Sequence, residues 1–270
     1  DLTRLLVGSE GTLGIITELT VRLHGIPEAI SAATCSFPDV ASAVATVASA
    51  IQCGIPVARA EFLDSATIRA VNAYSKTTFA ERPTLFFEFH GSPAGVAEQA
   101  RAVEEIAADN GGAGFDWASG QDALTRLWQA RHNVHYAVQA MRPGARVWST
   151  DVCVPISQLT ELVRITHEDV QTASFFVATV GHVGDGNFHL GLCIDPGNPA
   201  ELAEAEAINT RLVERAIALD GTATGEHGVG TGKRKFMARE HGGAVAVMRA
   251  IKGALDPLGI LNPGKVLPDA

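Results

Sequence analysis

Apolar positions change their period several times along the chain, and each change marks an element. Ile15 to Leu23 (IITELTVRL) is rich in β-branched residues and closes near Pro27, which predicts a strand. Ala32 to Phe37 reads as a second strand, after which Asp39 caps a helix with Val40, Val44, Val47 and Ile51 on one stripe. Pro83 to His90 predicts another strand. Ser92-Pro93 then supplies a cap and a first-turn proline for a helix carrying Val96, Ala100, Val103 and Ile106. A helix over Asp122 to Met141 follows, with strands at Arg146 to Val154, Phe175 to His182 and Asn187 to Ile194. Helices over Pro199 to Leu219 and Ala244 to Leu255 complete the series, the last closed by Pro257 and Gly259. Alternating strands and helices with one tight hairpin predict an α+β fold, a largely antiparallel sheet covered by helices.

Composition narrows the partners. A net charge of -9 over 270 residues argues against a grip on nucleic acid, which needs clustered Lys and Arg. Cys35, Cys53, Cys153 and Cys193 are too dispersed for a disulfide framework or a thiolate zinc site, which fits a reducing compartment. No transmembrane segment is expected, since no apolar run approaches the roughly 20 residues a span needs. The expected location is cytoplasmic, with a peripheral place at the inner membrane as the alternative. The chain starts at Asp1 and enters a glycine-rich segment at once, which reads as the tail of a domain whose upstream part is elsewhere.

The stretch Gly181-His182-Val183-Gly184-Asp185-Gly186-Asn187-Phe188-His189 is the most informative. Asp-Gly between apolar strands is a strong two-residue hairpin signal. With Asp185 and Gly186 as the turn, His182 pairs with His189, Cβ atoms about 4.5 to 5.5 Å apart on one face, so that two imidazoles converge on one cation. The competing reading is two half-buried strand histidines. In Thr224-Gly225-Glu226-His227-Gly228-Val229-Gly230-Thr231-Gly232-Lys233, flanking glycines free Glu226 and His227 from strict strand alternation. Glu226 could then complete a His-His-Glu site with positions left open, as in catalytic metals. A phosphate loop is excluded, because the position five before Gly232 is His227. On the 122–141 helix, Leu124, Trp128, Arg131, His135 and Val138 share a face. Arg131 could hold a carboxylate bidentately with Arg146 adding a second charge, although a salt bridge explains the spacing equally well.

GSEGTLGIIT, LWQARHNVHYA, STDVCVPIS, GHVGDGNFHL, GEHGVGTGKR and DPLGILNPGK together resemble the FAD-linked D-lactate dehydrogenase (cytochrome) family of FAD-linked oxidases, over essentially the whole chain. The resemblance implies the end of an FAD-binding domain at 1–26 and a ferredoxin-like FAD-linked oxidase C-terminal domain, for substrate and metal, at 27–270. It makes His182, His189 and Glu226 ligands of a divalent metal, zinc or manganese, and His227 the general base. Arg131 matches the carboxylate arginine. Arg146 stands where relatives often carry lysine, and His135 where substrate classes differ. Glu10, Gly11, Gly14, Ile16 and Asn262 resemble residues lying near FAD, whose remaining contacts belong to the absent domain. The implied reaction is oxidation of a D-2-hydroxyacid, D-lactate to pyruvate first, with electrons passing to a cytochrome, a quinone or an electron-transfer flavoprotein. Gly191 stands where some 2-hydroxyglutarate-oxidising relatives have Asn, which favours lactate-like substrates. A related glycolate or D-2-hydroxyglutarate dehydrogenase, a flavin-independent metal hydrolase and a non-catalytic interaction module are the rival readings. The chain without its flavin domain is expected to be colourless and inactive, and a homodimer stays open.

Overall fold

The computed structural model describes residues 1–269 and divides into two compact units, Ile26–Gly221 and Asp1–Gly25 with Thr222 onward. In the smaller unit a short helix, α1 (Leu2–Leu6), is capped by the Asp1 side chain. The predicted strand at 15–23 does not form. Among the described residues it has no ladder partner, and Ile15, Leu19 and Leu23 stay largely exposed. A strand without a neighbour leaves its backbone groups to water, so β-branched content alone cannot hold one.

The larger unit begins with β1 (Ala29–Ser36), α2 (Val40–Gln52), β2 (Val57–Leu63), α3 (Ser65–Ser75), β3 (Thr84–Gly91), α4 (Pro93–Asp109) and β4 (Ala113–Ser119). The caps read from sequence are present. Asp39 accepts from the Ser42 amide at 2.8 Å, and Ser92 from the Gly95 amide at 3.1 Å. Strands β2 and β4 and helix α3 are elements the sequence pattern did not reveal. Pairing is antiparallel in the order β4-β1-β3-β2, the ferredoxin-like arrangement. The sheet then continues through β7 (Phe176–His182), β8 (Asn187–Ile194) and β5 (Arg146–Ser149), with β6 (Val152–Cys153) also on β8.

Two predicted elements are interrupted. The 122–141 helix is α5 (Gln121–His132) followed by α6 (Val134–Ala140), broken at Asn133. The 146–154 strand splits into β5 and β6 around Thr150 and Asp151. Helices α3, α5 and α6 close one face of the sheet through a cluster including Ile68, Val71, Trp128, Val134 and Val138 on Leu63, Phe86, Ala178 and Cys193. Helix α2 packs against α4 and α7 (Ile156–Val170), and α7 against α8 (Pro199–Ala218). The smaller unit resumes with α9 (Met237–His241) and α10 (Ala244–Leu255). There the Lys252 ammonium donates to the carbonyls of Thr12 and Leu261 and to Asp256, tying the first and last segments together.

Candidate functional site

The histidine hairpin forms, but with a different register from the one its sequence suggests. A 3-10 turn occupies Val183–Asp185 and only Gly186 takes a positive φ, +77°. Val183 to Gly186 is therefore a four-residue loop, and His182 pairs with Asn187 while His189 pairs with Val180. The correction follows from Asp185, which keeps a negative φ and so cannot sit in the two-residue turn that needs positive φ at both positions. Opposed residues and alternate residues on one strand share a face, so His182 and His189 remain on the same side as diagonal neighbours. Their ring centroids lie 5.6 Å apart, edge to face.

Each imidazole is anchored through Nδ1. His182 Nδ1 lies 2.9 Å from Glu61 Oε1, and His189 Nδ1 lies 2.9 Å from the Thr150 carbonyl oxygen. Both partners are acceptors only, so a neutral ring must carry its proton on Nδ1, which puts the lone pair on Nε2. A histidine that ligates a metal has this arrangement, one nitrogen on the cation and the other donating to a carboxylate or backbone carbonyl. The donor set on this hairpin therefore fits a divalent cation. The Thr150 carbonyl is available because β5 stops at Ser149. Buried Asp151 beside it accepts from Asn187 Nδ2 at 2.8 Å and sits 3.7 Å from His189 Nδ1.

Glu61 is the residue that sequence reasoning missed. It stands on β2, and the register Glu61 to Phe86 and Leu63 to Val180 places it on the sheet face that carries both histidines. It is 6% exposed and accepts from His182 through Oε1 and from Arg131 Nη2, at 2.8 Å, through Oε2. Burial pushes its carboxyl pKa up, but the His182 hydrogen bond and the Arg131 charge outweigh burial and leave it below the usual glutamate value. A charge standing alone among Ala60, Phe62 and Leu63 was the available signal.

Arg131 is thus engaged, with its side chain 14% exposed against Glu61. It lines a cavity of about 440 Å³ with Glu61, His182, Trp128, Arg59 and Ile51. The Arg59 guanidinium stacks over Trp128 at 4.5 Å. His135 has a different environment, exposed beside Tyr136, because the break at Asn133 ends the continuous helical phase its spacing assumed. Arg146 is exposed at the start of β5.

The remaining candidates lie in the smaller unit. Glu226 and His227 occupy a loop and are about half exposed, Glu226 Oε1 lying 3.7 Å from His227 Nε2. Directly after them, the amides of Val229 and Gly230 donate to the Glu10 carboxylate at 2.6 and 2.8 Å. Glu10 takes φ +52°, and its carbonyl accepts from Asn262 Nδ2 at 2.5 Å. Gly11 has φ +72° beside this contact, whereas Ile16 is 56% exposed and nothing lies within 4 Å of a Cβ added at Gly14. Glu10, Gly11 and Asn262 are brought together, and Gly14 and Ile16 stand apart from that knot.

Residues 26–266 match the family described as FAD linked oxidases, C-terminal domain. The chain belongs to this family. It is 49% identical to the "Probable D-lactate dehydrogenase, mitochondrial" of Danio rerio over 99% of this chain and 54% of that protein. It is 44% identical to the cytochrome-type mitochondrial D-lactate dehydrogenase of Arabidopsis thaliana over 99% of this chain and 47% of that protein. It is 33% identical to the glycolate oxidase subunit GlcD of Bacillus subtilis over 98% of this chain and 57% of that protein. The chain thus spans about half the length of these relatives. Among solved structures, the 4-ethylphenol oxidase of Gulosibacter chungangensis superposes with a TM-score of 0.68 at 15% identity, over 92% of this chain and 56% of that one, which supports the fold. No helix among the described residues is long and apolar enough to cross a membrane.

Proposed function

We propose that this chain is the substrate- and metal-binding part of an FAD-dependent D-2-hydroxyacid dehydrogenase, with D-lactate as its substrate and pyruvate as the product. The observation that carries the metal reading is the pair of hairpin histidines whose Nδ1 atoms rest on Glu61 and the Thr150 carbonyl. His182 and His189 hold a zinc or manganese ion together with Glu226. A divalent ion there supplies Lewis acidity toward a substrate hydroxyl, and FAD, bound mostly by sequence outside this chain, supplies the two-electron acceptor.

His227 acts as general base and takes the substrate hydroxyl proton. Arg131 contributes the positive charge facing the carboxylate through the donors that Glu61 does not occupy, with Arg146 and His135 as secondary candidates. Glu10, Gly11, Gly14, Ile16 and Asn262 contribute to the FAD side. The electron acceptor is a cytochrome, in keeping with the name of the Arabidopsis thaliana relative. The Danio rerio and Arabidopsis thaliana relatives are named mitochondrial, which does not match the cytoplasmic expectation.

Gly191 favours a monocarboxylate over D-2-hydroxyglutarate. A Cβ there would meet Val147, Ala178 and Val138 at 3.5 to 3.7 Å, so a polar side chain would enter apolar surroundings. Glycolate stays a competitor because of the glycolate oxidase relatives, and membership in a FAD linked family counts against a flavin-independent hydrolase.

Elemental analysis of wild type, His182→Ala and Glu226→Ala tests the metal site, with loss of stoichiometric metal expected in both variants. Retention of metal in both would remove the assignment. In protein containing its FAD domain, His227→Ala is expected to keep its metal yet lose D-lactate-dependent flavin reduction by about 100-fold or more. Near-normal reduction would reject the base.

A further inference from the structure

A carboxylate at 6% exposure that serves two donors on two other elements has a structural cost and needs a reason to be where it is. Glu61 on β2 gives one oxygen to Arg131 on α5 and the other to His182 at the end of β7. This happens where β2 and β7 part company. The two strands pair only at Phe62 with Gly181 and Leu63 with Val180, after which the 3-10 turn leaves a gap in the ladder although its Gly184 stays close to Ala60. Glu61 is thus the first β2 residue on that face beyond the paired stretch, and it bridges the gap with a side chain instead of a backbone ladder. The cavity lined by Glu61, Arg131 and His182 opens at the same place.

We infer that Glu61 is a positioning residue for His182, holding the proton on Nδ1 and aiming Nε2 outward as a donor atom, and that Arg131 locks Glu61 in that pose. The inference rests on the metal site proposed above, since it assigns how one ligand of that site is prepared. It also gives Arg131 a duty besides any contact with substrate. His189 offers a built-in comparison, because its Nδ1 rests on the Thr150 backbone carbonyl and is independent of Glu61.

A purely structural ion pair would predict loss of stability and nothing more. The positioning role predicts a change in one imidazole. In metal-free protein at a pH where both rings are neutral, long-range 1H–15N spectra should show the Nδ1–H form for His182 and His189. Glu61→Ala should move His182 toward a mixture with Nε2–H and leave His189 unchanged. Titration with Zn2+ against a chelator should then show affinity weakened by about 10- to 100-fold. Glu61→Gln guards against a variant that fails to fold, since it preserves volume but offers one acceptor oxygen where two donors need one each. Its Zn2+ affinity should fall by at least several-fold. Wild-type tautomer at His182 in folded Glu61→Ala, or Zn2+ affinity within about twofold of wild type in folded Glu61→Gln, would overturn the inference. Wild type that binds no Zn2+ defeats the proposed metal site instead, and Glu61 is then judged on the His182 spectrum, where a shift in Glu61→Ala sustains it.

Discussion

The hairpin of β7 and β8 and the Gly225–Gly230 loop each present two residues with metal or proton chemistry, but they differ in burial and in how their surroundings are anchored. His182 and His189 stand on paired strands, and both rings are fixed through Nδ1 by acceptors in the larger unit. In the loop, hydrogen bonds anchor the backbone that follows the pair. The Val229 and Gly230 amides grip Glu10, while the Glu226 and His227 side chains are about half exposed. The first arrangement suits a ligand that must keep one direction. The second fixes the backbone of the loop and leaves the Glu226 and His227 side chains beside one another and about half exposed.

The sharpest way to break this contrast is Gly186→Ala. A Cβ at Gly186 would lie 2.2 Å from the Val154 carbonyl oxygen, and the residue has φ +77°. Neither conflict can be relieved without moving the hairpin loop or β6. We expect a loss of more than about 2 kcal/mol in urea unfolding, together with loss of the fixed histidine geometry. Near-wild-type stability would mean that the loop is softer than its packing indicates.

How much of this was legible follows the same division. The hairpin strands and their histidines were readable because apolar alternation and the Asp-Gly pair are local signals. The register was not, because it depends on whether Asp185 as well as Gly186 adopts positive φ, which tertiary contacts at Val154 help decide. Glu61 lay 121 residues from His182, on a strand the apolar pattern did not reveal, so no local pattern could join them. Arg131 was found by helical spacing. Its partner was not, and the break at Asn133 separated it from His135. At 15–23 the strand signal misled, since propensity there met no pairing partner among the described residues. The ferredoxin-like class was implied by family resemblance, and the strand order realises it without being derivable from pattern alone.

A smaller effect tests the loop. Glu10→Ala removes a charged acceptor from two part-buried amides that water can reach in its place. Hydrogen exchange at Val229 and Gly230 should accelerate by about 10- to 100-fold, with the amides of β7 and β8 unchanged. Equal acceleration on β8 would show that the two regions do not respond separately.

The smallest effect concerns how β8 leads into α8. Glu201 accepts from Arg142 at 2.7 and 3.0 Å, from the Asp195 amide at 2.8 Å and from Asn198 at 3.0 Å. The Arg142 hydrogen bonds, with the Asp195 amide next, hold its pKa down at about 2 from 4.5. A carboxyl depressed in the folded state binds fewer protons there than in the unfolded chain. Its stabilisation is therefore complete above 4.5 and is lost as pH falls from 4.5 toward about 2. Urea midpoints should drop through that window, and Glu201→Gln should flatten the slope while lowering stability modestly at neutral pH, because Arg142 is well solvated. The variant should leave Zn2+ affinity unchanged, since the histidines take their anchors from Glu61 and Thr150, not from the β8–α8 junction. A parallel fall in Zn2+ affinity would extend the rigid region from the hairpin to the start of α8.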